Sequence, residues 1–186
     1  MKKIVFILMA LLALSVKSFS QNSSGIYYKG EKLNYSRVIG KSVGNIAGAY
    51  FTLGLSSAKS NKIIEGGTSS TDIEENKPEF TFIFGEDKQT GYIFTNIKNI
   101  DNMLLVKLHE KKNKRNLRTG KYGLTGVNTG IDENDVIPLS VEKTDENTAI
   151  VKVKNKLEKG EYCFYYIGNA PSEDLTFNGV FDFTIK

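Results

Sequence analysis

From Pro78 onward, bulky apolar side chains alternate with smaller or polar ones, the period of a strand sealed against a core on one side. Phe80, Phe82 and Phe84 alternate with Thr81 and Ile83, and Tyr92 and Phe94 with Ile93 and Thr95. Leu104, Val106 and Leu108 share one face, with Lys107, His109 and Lys111 on the other. Ile137, Leu139 and Val141 line one side of the next run, and Ala149, Val151 and Val153 oppose Lys152 and Lys154. At the end of the chain Phe181, Phe183 and Ile185 point inward, with Asp182 and Thr184 outward. Turn-forming stretches separate these runs: Gly85-Glu-Asp, Thr119-Gly120, Thr129-Gly130, Asp145-Glu-Asn and Asn178-Gly179. Roughly seven to nine short strands at this spacing predict a mainly β domain over residues 78–186. The architecture expected is an antiparallel Greek-key β-sandwich, immunoglobulin-like or a relative of it.

One local pattern is more specific. Leu157-Glu-Lys-Gly160-Glu-Tyr162 resembles a tyrosine corner, where a glycine allows a sharp approach to a strand and the tyrosine hydroxyl bonds back to the corner's backbone. Leu157, Gly160 and Tyr162 are therefore expected to be structural.

Residues 21–77 follow a different rule. Gly40, Gly44 and Gly48 are four apart, Gly54 follows, and Ser42 to Ala58 carries no charge. On a helix these glycines would form a smooth ridge suited to close backbone approach. Each would also cost about 1 kcal/mol relative to alanine, so such a helix would need a partner surface. The segment reads as a helix or a glycine-rich strand pair packed on, or linked to, the β-domain. Lys62-Ile-Ile-Glu reads as a strand before a turn at Gly66-Gly67.

Residues 1–20 read as an export signal rather than as part of the fold. Lys2 and Lys3 precede an apolar run from Ile4 to Leu14, and Ser18 and Ser20 supply the small side chains that precede a cut before Gln21. The run is too short for a membrane span, which takes about 20 residues. No cysteine follows it to carry a lipid, so the expected product is periplasmic or secreted, not a lipoprotein, and without a transmembrane helix. The whole chain has 25 basic and 21 acidic residues; losing Lys2, Lys3 and Lys17 leaves 22 against 21, a net charge of +1. The alkaline character thus partly leaves with the signal and is poor evidence for a nucleic-acid partner, which is not expected. Cys163 is the only cysteine, so no intramolecular disulfide can form.

Four segments together resemble an uncharacterised family of small exported β-rich bacterial proteins, common in the Bacteroidetes: Lys77-Pro-Glu-Phe-Thr-Phe-Ile-Phe84, Leu105-Val-Lys-Leu108, Gly160-Glu-Tyr-Cys-Phe164 and Val180-Phe-Asp-Phe-Thr-Ile185. The resemblance implies a β-rich fold and export. It implies no reaction and no ligand.

Candidate chemistry is sparse. Lys107, Lys111, Lys112, Lys114, Arg115, Arg118 and Lys121 form a basic stretch opposed only by Glu110, able to attract a polyanion or an anionic surface. No aromatic residue interleaves with it before Tyr122, which weakens base stacking as its purpose. His109, the single histidine, is expected on a solvated strand face, and Cys163 in an apolar strand as a small buried side chain. Asp132, Glu133 and Asp135 are calcium-type oxygen ligands but lack the full loop pattern, so an exposed acidic turn is expected. Ser56-Ser-Ala-Lys59 and Arg118-Thr-Gly120 echo two short motifs of penicillin-recognising enzymes, without the third motif or the length for that fold. The expectation is a non-catalytic exported binding module, with no cofactor or metal, whose partner is an envelope protein or a glycan. The alternatives are docking on a membrane or polyanion through residues 40–54 and 107–121, and a small hydrolase with an unfamiliar site.

Overall fold

The computed structural model describes residues 23–44, 57–86, 91–123, 126–168 and 179–186. Its strands, in chain order, are β1 (Gly25–Tyr28), β2 (Glu31–Lys32), β3 (Tyr35–Val43), β4 (Ala58–Ile64), β5 (Asp72–Ile73), β6 (Glu79–Ile83), β7 (Met103–Lys107) and β8 (His109–Glu110). They continue with β9 (Arg115–Gly123), β10 (Gly126–Thr129), β11 (Val136–Ile137), β12 (Leu139–Lys143), β13 (Thr148–Val153), β14 (Gly160–Tyr166) and β15 (Gly179–Ile185). One sheet runs β12-β13-β6-β1-β2, and a second runs β10-β9-β4-β3-β15-β14-β7-β11. Pairing is antiparallel except for β5, which lies parallel to β15. β1 and β3 sit inside the two sheets, so residues before Pro78 supply strands to both.

The two sheets meet across phenylalanines. Phe80 and Phe82 of β6 stand edge-on to Phe164 of β14, with ring centroids 4.9 and 5.1 Å apart. Within the second sheet, Tyr162 stacks on its cross-strand neighbour Phe183 at 5.7 Å. Such pairs add about 0.5–1.5 kcal/mol each beyond the area they bury. The alternation over residues 80–84 and 149–153 puts Phe80, Phe82, Phe84, Ala149, Val151 and Val153 in this core.

The second sheet closes on itself. β8 continues from β7 and pairs with β9, so a path from β9 through β4, β3, β15, β14 and β7 returns to β9. The faces turned away from the phenylalanines enclose a second apolar cluster: Ile64, Val106, Leu108, Leu117, Cys163 and Val180. Asp182 and Thr184 therefore do point opposite to Phe181 and Phe183, yet both are buried. The sequence pattern placed them outward because it cannot see a second layer. Burial of charge there is compensated by pairing. Arg115, also buried, donates to the Asp182 carboxylate, to the Glu65 carbonyl at 2.7 Å and to the Gly66 carbonyl at 3.2 Å, with Glu161 3.5 Å away. Glu161 accepts from the Ser69 amide at 2.8 Å and the Thr184 hydroxyl at 2.6 Å. Ser36 donates to Asp182 at 2.8 Å. The network ties the 65–71 loop down onto β9, β14 and β15.

Two expectations change in the folded chain, and a third, left open between helix and strand, is narrowed. Residues 91–94 form a 3-10 turn rather than a strand; Ile93 and Phe94 are consecutive and both sit in the main core, which alternating strand geometry forbids. The 137–141 run is split at Pro138, with β11 on the second sheet and β12 on the first. Gly40 lies in β3, and the Gly44 amide donates to the Lys59 carbonyl at 2.9 Å, so this part of the glycine segment is paired strand, not helix. Gly48, Gly54, Ser56 and the export signal with its cut lie outside the described residues. Among the described residues no helix is long and apolar enough to cross a membrane.

Candidate functional site

The site begins with one extra residue in a strand. β9 pairs with β4 as Lys59 to Lys121 and Ser60 to Gly120, but the next pair is Asn61 to Arg118. Thr119 is therefore a bulge. In an unbroken strand Arg118 and Lys121, three apart, would face opposite ways; the bulge turns both to the same side. Thr119-Gly120 thus serves as a bulge within β9 and not as the turn its composition predicts. Gly120 suits it, since a methyl group there would stand 3.2 Å from the Asn128 carbonyl and 3.4 Å from Ser60 Cβ.

Asn128 pairs with Lys121 on its other side, so Asn128, Lys121 and Lys59 stand abreast on β10, β9 and β4. Residues 130–134 rise beside this row and complete a cleft of about 250 Å³. The wall is held by local bonds. Asp132 caps the 3-10 turn Glu133–Asp135, accepting from the Asn134 side chain at 2.9 Å and its amide at 3.2 Å. The Asn134 side chain, then the Asn134 amide, and more weakly Arg118 and Lys59, hold the Asp132 carboxyl below the usual carboxylate range. Ile131 packs on the second apolar cluster and anchors the wall from behind.

Beneath the cleft, Asp135 is buried and both of its oxygens lie 2.8 Å from His109 Nε2, with Arg118 3.5 Å away. This group bridges β8 and β9 where the second sheet closes. His109 is accordingly not a freely solvated side chain, and Asp135 is not part of an exposed acidic turn. Among the described residues His109 has no hydroxyl or thiol partner that could act as a nucleophile. Nor does any group of three or more His, Cys, Asp or Glu among them stand ready to hold a metal.

Arg118 is thus neutralised from below, whereas Lys59 and Lys121 oppose each other directly across a strand pair. Like charges in that position destabilise a sheet. Neither ammonium group has an ion-pair or hydrogen-bond partner among the described residues.

The chain matches no protein-family model, no curated protein and no solved structure.

The predicted basic stretch is dispersed by the fold. Lys107 pairs with Glu158 at 2.6 Å. Lys111, Lys112 and Lys114 sit exposed at the tip joining β8 to β9, where Lys111 and Lys114 exchange backbone hydrogen bonds. Lys112 and Asn113 between them both have positive φ, 51° and 57°, the mark of a type I′ turn. Arg115 is buried in the ionic network and is out of reach of any polyanion. Only Arg118 and Lys121 line the cleft. Lys59 was missed because it is distant in sequence and local in space, and Asn128 because only the pairing of β10 with β9 sets it beside Lys121. The two short enzyme-like fragments contained a trace of the arrangement: Lys59 and Arg118-Thr-Gly120 fall on adjacent strands. Lys59 lies in a strand, however, and not on the helix that the serine-lysine motif of those enzymes needs.

At the expected corner, the Tyr162 hydroxyl donates to the Glu158 carbonyl at 3.0 Å. Gly160 has φ +145°, a conformation side chains resist, and Leu157 is buried. Cys163 is fully buried, and desolvation, then the charge of Asp182, pushes its thiol far up, so it offers no thiolate.

Proposed function

We propose that this chain is an exported, non-catalytic binding module of the bacterial envelope, periplasmic or secreted, whose ligand is a glycan held in the cleft between β4, β9, β10 and residues 130–134. The carrying observation is that this cleft gathers Lys59, Lys121 and Asn128, whose side chains make no hydrogen bond or ion pair within 4 Å among the described residues. Among the described residues His109 is engaged by Asp135, Arg115 by its carboxylates, and Cys163 lies in a dry core. A rigid sheet floor and a capped loop wall suit binding, since a preformed site loses little entropy on occupation. The facing sheets and the Tyr162–Glu158 bond favour a Greek-key sandwich relative as the scaffold. The lysine pair preceding the apolar run at residues 4–14 supports export.

Probing an array of bacterial surface glycan fragments with the processed chain tests the reading. Retention of at least one glycan, lost when Lys59 and Lys121 are both changed to Gln, is expected; an array with no signal above heat-denatured protein contradicts it. Docking on an anionic membrane is the second reading, carried by Lys111, Lys112 and Lys114 at the β8–β9 tip. Flotation with anionic liposomes at low salt separates the two, because a glycan module stays with the soluble fraction.

A further inference from the structure

We propose that the cleft selects an acidic sugar, with Lys59 and Lys121 together clamping its carboxylate and the loop wall accepting from its hydroxyls. The inference rests on the glycan-binding reading and narrows it to a class of ligand.

Lys59 and Lys121 stand directly opposite each other across β4 and β9. This pairing works against the fold, and a negative group lying between the two ammonium ions reverses its sign. Sites that cost stability while serving no packing purpose are the expected signature of function. Arg118 is a poor candidate for the clamp, because Asp135 already faces it from below. Its planar guanidinium fills the floor of the cleft instead.

The opposite side of the cleft has the reverse character. Asp132 and Glu133 line the wall, Asp132 kept ionised by its bonds to Asn134. An ionised carboxylate accepts hydrogen bonds and donates none, so it suits a ligand rich in hydroxyl groups. The cleft is therefore dipolar, cationic on the sheet and anionic on the loop. A compact multivalent anion such as phosphate would meet the two wall carboxylates as well as the two lysines. A sugar bearing one carboxylate separates its charge from its hydroxyls and matches both sides. Size agrees: about 250 Å³ falls below the roughly 300–1,000 Å³ typical of drug-sized ligands and leaves room for one sugar ring, with a chain continuing into solvent.

The test is calorimetric titration of the processed chain with galacturonic acid and its short oligomers. Galacturonic acid methyl ester, galactose and inorganic phosphate serve as comparisons. The acid is expected to bind at least tenfold more tightly than its methyl ester, which has the same shape without the charge. Lys59→Gln and Lys121→Gln are each expected to lower affinity for the acid at least tenfold while leaving the melting temperature unchanged or higher, since each relieves the like-charge pair. A variant that loses binding by losing its fold would melt lower, so the two causes are distinguishable. Equal affinity for acid and ester, unchanged affinity in both lysine variants, or phosphate competing as well as the acid would overturn the inference. If neutral sugars bind as well as the acid and Asn128→Ala weakens them, the acidic-sugar inference falls while the glycan reading stands. If no sugar binds at all, both fall.

Discussion

Replacing Arg115 by Met tests the reading of the buried network. The substitution keeps an unbranched, largely apolar side chain of similar length but leaves Asp182 and Glu161 buried with no cation. It also strips the Glu65 and Gly66 carbonyls of their donor. Breaking a buried ion pair by removing one partner costs about 3–5 kcal/mol, because the remaining charge is left uncompensated. That is a large fraction of a typical total of about 5–15 kcal/mol. For a chain of this size each kcal/mol lowers the melting temperature by about 2–4 °C, so a fall of roughly 6–20 °C is expected. Urea unfolding followed by far-ultraviolet circular dichroism gives the free energy, with an unchanged denaturant slope showing that compactness is preserved. Asp182→Asn should also destabilise, and the double variant should lose less than the sum of the two. A loss below about 1 kcal/mol for Arg115→Met, or strict additivity with Asp182→Asn, would refute the claim that this network fastens the 65–71 loop to the closed sheet.

Burial raises the Glu161 carboxyl above its ordinary value, outweighing the hydrogen bonds from Thr184 and Ser69 and the charge of Arg115 that pull it down. A carboxyl with a raised folded-state pKa retains its proton longer than in the unfolded chain, so its contribution to stability is lost as pH rises through the window just above 4.5. The stability of wild type relative to Glu161→Gln should therefore fall across that window, and a flat difference in pH-dependent urea titrations would contradict it. Tyr162→Phe removes the hydroxyl that bonds Glu158 and should cost about 1 kcal/mol by thermal melting; no change would take the corner out of the stability argument. Lys112→Asn places a residue tolerant of positive φ at the first central position of the β8–β9 turn and should stabilise by a few tenths of a kcal/mol; a lower melting temperature would argue against the type I′ geometry.

Much of the fold was legible because strand periodicity is a local property. The phenylalanines of β6 and the valines of β13 had the right faces from sequence alone, since each strand turns one face to the main core and the other away from it. β14 and β15 were harder. Their alternate residues Glu161, Cys163, Asp182 and Thr184 face a second interior, and a polar residue on an inner face looks like a polar residue in water until the sheet is seen to close. Residues 91–94 misled for the opposite reason: apolar residues that pack in a turn imitate a short strand.

The site was less legible than the fold. Charge density alone grouped Lys107 through Lys121, but strand geometry sends neighbours to different faces, and the seven basic residues go to an ion pair, a hairpin tip, a buried network and a cleft. The lysine that completes the cleft, Lys59, lies 62 positions from its partner Lys121 in sequence and opposite it in the sheet. Only the register, with its bulge at Thr119, brings them and Arg118 to one side. A bulge is an offset in pairing, which one strand's sequence cannot express.

The central claim, that one preformed cleft is where this protein meets its ligand, is tested most directly by amide-resolved nuclear magnetic resonance during titration with a galacturonic acid oligomer. The account predicts shifts confined to Lys59, Arg118 through Lys121, Asn128 and residues 130–134, with the rest of both sheets unmoved. Shifts centred instead on the 111–114 tip, or spread through both sheets with none at Lys59, would contradict it.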